Sequence, residues 1–95
     1  MSDEPFRPTL DALVSAAKLF RLGMDTQANQ ALAGSVTGLA ACLAQRAPAE
    51  RAMLDALLAL IVEAQERADV LRIADLIEFE LLPRLLDAPA DAPLT

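Results

Sequence analysis

Val70-Leu71-Arg72-Ile73-Ala74-Asp75-Leu76-Ile77-Glu78-Phe79-Glu80-Leu81-Leu82 decides how this chain is read. Its apolar residues do not alternate as in a half-buried strand. They surround a helix on almost every side, and a helix apolar on most sides is buried on most sides. A 95-residue chain with three helices has little to cover the far side of such a segment. The run therefore predicts either a helical-bundle homodimer or a groove that receives a partner helix, because a large bare apolar patch invites aggregation. Val70, Ile73, Leu76, Ile77, Phe79 and Leu81 are its candidate partner-binding apolar residues, and Asp75, Glu78 and Glu80 its candidate polar contacts.

Upstream, Ala47-Pro48-Ala49-Glu50 is a break. Pro48 suits the first turn of a helix, where its missing N–H costs nothing. From there to Leu82 no glycine or proline interrupts, and one long or bent helix over residues 49–86 is favoured over two separate ones. It would span about 57 Å. A break near Gln65–Asp69, with Asp69 as a cap, is the alternative.

At about 100° per residue, Met53, Leu57, Leu60, Ile61, Ala64, Ala68, Leu71, Leu82 and Leu86 share one face of that helix. Asp75 and Glu78 fall on the same apolar face, three residues apart and so neighbours. An unpaired buried carboxylate is too costly, which leaves three readings. In the favoured one the helix bends near Asp69 and both side chains turn to water. In the second they pair with Lys18, Arg21 or another arginine, within the chain or across a dimer. In the third they join Glu63, Glu66 and Asp69 in holding a hard cation. Glu63–Arg67, Glu80–Arg84 and Asp69–Arg72 have the spacing of pairs on a solvated helix face.

Toward the N-terminus, Thr9 after Pro8 is placed to cap a first helix carrying Leu10, Leu13, Val14, Ala17 and Phe20, with Gly23 as a left-handed stop. Asp25 is placed to cap a second helix running to about Gln45, with the stripe Ala28, Leu32, Ser35 or Val36, Leu39 and Leu43. Gly34, Gly38 and Cys42 recur every four residues on it. They mark either a close helix–helix contact or glycine tolerated on a solvated face at about 1 kcal/mol each. Residues 1–8 read as a flexible arm, 9–86 as one domain and 87–95 as a flexible tail. The fold class is all-α, a three- or four-helix bundle, expected to be dimeric.

Composition narrows the function. The chain has 8 basic and 14 acidic residues, a net charge of −6, with 55 % hydrophobic residues. It has one cysteine and no His, Trp or Tyr. A disulfide framework, a Cys/His zinc site and a His-based triad are excluded. The acidic balance argues against nucleic acid and anionic membranes as partners. The longest apolar run, Ala56–Val62, is far short of the roughly 20 residues of a membrane span, and no export signal precedes the first helix, so a cytoplasmic location is expected. No candidate nucleophile has an identifiable base, and Gly34-x-x-x-Gly38 is no phosphate loop. No catalytic residue, no cofactor and no metal site are assigned.

The stretch Ala68-Asp69-Val70-Leu71-Arg72-Ile73-Ala74-Asp75-Leu76-Ile77-Glu78-Phe79-Glu80-Leu81-Leu82-Pro83 resembles the closing helix of a group of small uncharacterised bacterial all-helical proteins. Their last helix ends on a run similar to Ala-Asp-Leu-Leu-Glu-Tyr-Glu-Leu-x-Pro. The resemblance covers 16 of 95 residues, with Phe79 in place of the tyrosine, and implies that Asp75, Glu78 and Glu80 make specific contacts. As a type, a short acidic all-helical chain is also similar to flagellar and type III export chaperones, which offer an apolar groove to a partner segment. The expected function is thus a non-enzymatic adaptor or chaperone-like module that docks a partner helix. Alternatives are a carboxylate-based ligand- or metal-binding bundle and a purely structural homodimer.

Overall fold

A computed structural model describes residues 6–86, and they form an all-α helical bundle. Its elements are α1 (Arg7–Arg21), α2 (Asp25–Gly34), α3 (Val36–Ala44), α4 (Pro48–Glu66), α5 (Val70–Asp75), a π-helical turn (Leu76–Leu81) and α6 (Leu82–Leu86). The last three run on from one another as a closing segment. It lies at the centre, between α1 on one side and α4 on the other, while α2 folds back along α1. Most of the expected N-terminal arm and the whole C-terminal tail lie outside the described residues. No helix among those described is long and apolar enough to cross a membrane.

The start of α1 corrects the sequence reading. Pro8 stands within the first two positions, where no hydrogen bond is lost, and the helix begins at Arg7 with Phe6 as its cap residue. Thr9 is therefore inside the helix and buried rather than a cap. Leu13, Ala16, Ala17 and Phe20 are the buried stripe of α1. Gly23, at φ +79°, turns the chain as expected. Met24, not Asp25, takes the cap position of α2. The second helix is not continuous to Gln45. It breaks at Ser35, whose buried hydroxyl donates to the Leu32 carbonyl at 2.6 Å and offers the backbone a local alternative.

The stretch 49–86 is not one long helix. It ends at Glu66, and Asp69 opens α5 by accepting the Arg72 backbone N–H at 3.3 Å. Ala68 sits between them at φ +56°. This left-handed conformation is expensive for a residue with a Cβ, so no breaker in the sequence announces it. The break lets the closing segment fold back on α4, and the molecule is only 43 Å along its longest axis.

The buried face of α4 is Leu54, Ile61 and Ala64, with Leu57 and Leu58 half-buried. Met53 and Leu60, assigned to that face from sequence, are exposed, and so are Ala68, Leu71 and Leu86. Beyond α4 a single helical wheel fails because the register changes twice, at Ala68 and again in the π turn, whereas Met53 and Leu60 lie at the edge of the α4 face that Leu54, Ile61 and Ala64 bury. Along α5 and into the π turn, the residues Ile73, Ala74, Leu76 and Ile77 point inward. Continued as an ideal α-helix at about 100° per residue, the same face would next carry Glu80 and Arg84. The π turn adds one residue to the turn. The inward positions become Leu81, Leu82 and Leu85, while Glu80 stays exposed. Pro83 favours the same outcome, since its ring would collide with the Phe79 carbonyl in a regular α-helix.

Candidate functional site

Arg21, the last residue of α1, meets the closing segment where α5 gives way to the π turn. Packing of α1 on that segment brings them together across more than fifty residues of sequence. Its Nη2 donates to Asp75 Oδ1 at 2.9 Å, and its Nε donates to Glu78 Oε1 at 3.0 Å, with Nη2 donating to Glu78 as well. The guanidinium carbon also lies 5.9 Å from the centre of the Phe79 ring, within reach of a cation–π attraction. These bonds, Glu78 first and then Asp75, hold the Arg21 guanidinium above its ordinary pKa. It is protonated at any pH, so the shift reports the local field rather than a titration.

The carboxylates thus realise the pairing reading, within one chain, and Asp75 remains half exposed. Two carboxylates share one cation, so the cluster keeps a net negative charge. Among the described residues, no three His, Cys, Asp or Glu side chains come together as a metal site.

The predicted partner-binding residues fall into two groups. Ile73, Leu76, Ile77 and Leu81 are not a surface. They are core, covered by α1 and α4 of the same chain, and Val70 is packed half-buried against them. The premise that this chain could not cover the far side of its closing segment is therefore corrected: the break at Ala68 frees α4 to serve as that cover. Phe79 is 66 % exposed, with Leu71 at 58 % and Leu86 at 67 %. Leu71, Asp75, Phe79, Pro83 and Leu86 are all exposed along the outer side of the segment.

The small-residue stripe divides in the same way. A Cβ on Gly38 would lie 1.7 Å from Thr9 Oγ1, so glycine there permits a close contact between α3 and α1. Gly34 faces open space. Cys42 is half-buried and accepts a long 3.7 Å contact from Arg46. Of the helix pairs read from sequence, Glu63–Arg67 forms at 3.6 Å. Asp69 is engaged as a cap, and Arg84 reaches Met53 Sδ at 3.7 Å instead of Glu80. The π turn explains the second change, because four-residue spacing no longer stacks across it.

Sequence reasoning missed Arg46, between α3 and α4. It is only 6 % exposed. Its guanidinium donates to the carbonyls of Leu85, at 3.0 Å, and Arg84, at 3.4 Å, with the Glu50 carboxylate 3.8 Å away. It thereby satisfies the orphan carbonyls at the end of α6. The one available signal was an arginine four residues before a glutamate at a helix break. Comparison of the chain with protein-family models, with curated proteins and with solved structures finds no match.

Proposed function

We propose that this protein is a non-enzymatic interaction module, adaptor- or chaperone-like, that docks a partner helix on the outer side of its closing segment. The observation that carries this reading is Phe79. An aromatic ring left mostly in water, with Leu71 and Leu86 exposed along the same segment, loses apolar hydration only when something covers it. Exposed aromatic residues of this kind supply the anchors of helix-in-groove recognition. Asp75 and Glu78 carry more negative charge than Arg21 neutralises, and Glu80 is exposed next to Phe79 in the sequence, which suits a partner helix carrying lysine or arginine beside its apolar stripe. These carboxylates would then govern the rate and selectivity of encounter, and the ring its lifetime. A cytoplasmic location accords with the acidic, cysteine-poor composition.

A photoreactive phenylalanine analogue at position 79 tests the reading. In the producing cell it should cross-link to one defined protein. That protein, purified, should bind the unmodified chain, and Phe79→Asp should weaken binding by 30-fold or so, about 2 kcal/mol at a hot spot, with an unchanged helical circular-dichroism spectrum. A partner that binds Phe79→Asp as tightly as the parent overturns the reading.

A further inference from the structure

We infer that Arg21 is an internal competitor of the partner: it occupies Asp75, Glu78 and Phe79 as an arginine of the partner helix would, and docking exchanges one guanidinium for the other. The inference rests on Phe79 being the docking anchor. It adds that the basic residue beside the partner's apolar stripe is an arginine, and that Arg21 weakens the complex.

The contacts around Arg21 are those of guanidinium recognition. Its Nε and Nη2 both donate to Glu78 Oε1, Nη2 also donates to Asp75 Oδ1, and its carbon lies 5.9 Å from the centre of the Phe79 ring. Edge donors and a face against an aromatic ring use a planar fork, which an ammonium lacks. The ring that a partner must cover is thus shared with Arg21, and a helix laid over Phe79 meets that guanidinium. If Arg21 stayed, its charge would oppose the basic residue that the surplus carboxylate attracts.

Arg21 can leave at little cost. It is the last residue of α1, its side chain is 34 % exposed, and Leu22 after it is exposed as well. Exposed ion pairs are weak, and here an equivalent pair replaces the one that is lost. The π turn adds an acceptor that Arg21 does not use. The Leu82 N–H donates to the Ile77 carbonyl, five residues back, and Pro83 has no N–H, so the Glu78 carbonyl has lost both helix donors that could serve it. The bonds of Arg21 go to the two carboxylates alone. An arginine arriving on a partner helix has five N–H donors to share between that carbonyl and the carboxylates.

Heteronuclear NMR of the labelled full chain tests the exchange without a partner protein. The probes are N-acetylarginine methylamide and its lysine counterpart. Arg21→Gln removes the charge and keeps a long polar side chain. In that variant the arginine compound should shift the backbone amides from Asp75 to Glu80 at millimolar concentration, about 3-fold more tightly than the lysine compound. The parent should bind it several-fold more weakly. Equal affinity of parent and variant, equal affinity for the two compounds, or no shift in the variant overturns the exchange. The protein cross-linked at position 79 should bind Arg21→Gln about 3-fold more tightly than the parent. Weaker binding would make Arg21 a part of the docking face and not its competitor. A partner indifferent to Phe79→Asp sinks the docking reading alone, because the probe titrations do not depend on it.

Discussion

Two arginines hold the closing segment, and they do so by different physics. Arg21 grips its middle from outside, in water, through two carboxylates. Arg46 grips its end from inside, nearly dry, through two backbone carbonyls. An exposed ion pair exchanges one well-solvated arrangement for another and contributes little. A buried guanidinium cannot be removed so cheaply, because its acceptors are left in the core with nothing to bond. The comparison separates a surface that can exchange its contacts from one that cannot, which is why Arg21 belongs to the candidate docking face and Arg46 to the scaffold.

Arg46→Leu should expose the largest difference. It strands the Arg84 and Leu85 carbonyls, and urea denaturation should show a loss of about 2–4 kcal/mol. An unchanged midpoint would mean that water satisfies these carbonyls and that the two arginines are equivalent. Arg46→Lys sharpens the same point. A single ammonium keeps the charge but not the planar fork, so the loss should be about 1–2 kcal/mol. Pro83→Ala probes the π turn that lies between the two grips. The turn should persist, because Leu81, Leu82 and Leu85 must still face inward, and stability should change by less than about 1 kcal/mol. Backbone chemical shifts showing a regular α-helix through Leu76–Leu81 would instead make Pro83 the sole cause. Arg21→Ala should have the smallest effect, a thermal midpoint indistinguishable from the parent. A clear drop would promote the exposed cluster to a structural element.

How far the sequence carried these conclusions depends on where the instructions are local. Gly23 and Pro48 are local, and their turn and helix start fall where the sequence places them. Asp69 is legible as a cap, but Ala68 gives no sign of the left-handed conformation it adopts, so the sequence favours a continuous helix. Tertiary packing supplies that conformation and no local propensity encodes it. The π turn was hidden for the same reason. Glu80 and Arg84 would enter the core in a regular helix, but this becomes visible only once the inward face of α5 is known. Charge alone admits Arg21 as a partner of Asp75 and Glu78, but equally Lys18 or another arginine, and only the packing of α1 on the closing segment selects it. The Arg46 contact could not be named, since backbone carbonyls carry no sequence signature. Phe79 was in the expected set, but its neighbours Ile73, Leu76, Ile77 and Leu81 were grouped with it because apolar composition does not tell core from surface.

The central position of the closing segment also bears on the order in which the bundle assembles. The α1–α2 hairpin joins residues close in sequence, and its loop closes quickly and at little entropic cost. The closing segment must find α1 across a separation of 57 residues at the Arg21–Glu78 bond. Its docking on α1 is therefore expected to complete the core late, after a long loop has closed. Contacts absent from a transition state act on unfolding rather than folding. Substitutions at Arg46 should accordingly shorten the lifetime of the native state while leaving the refolding rate almost untouched, whereas strain introduced at Gly23 should slow refolding itself.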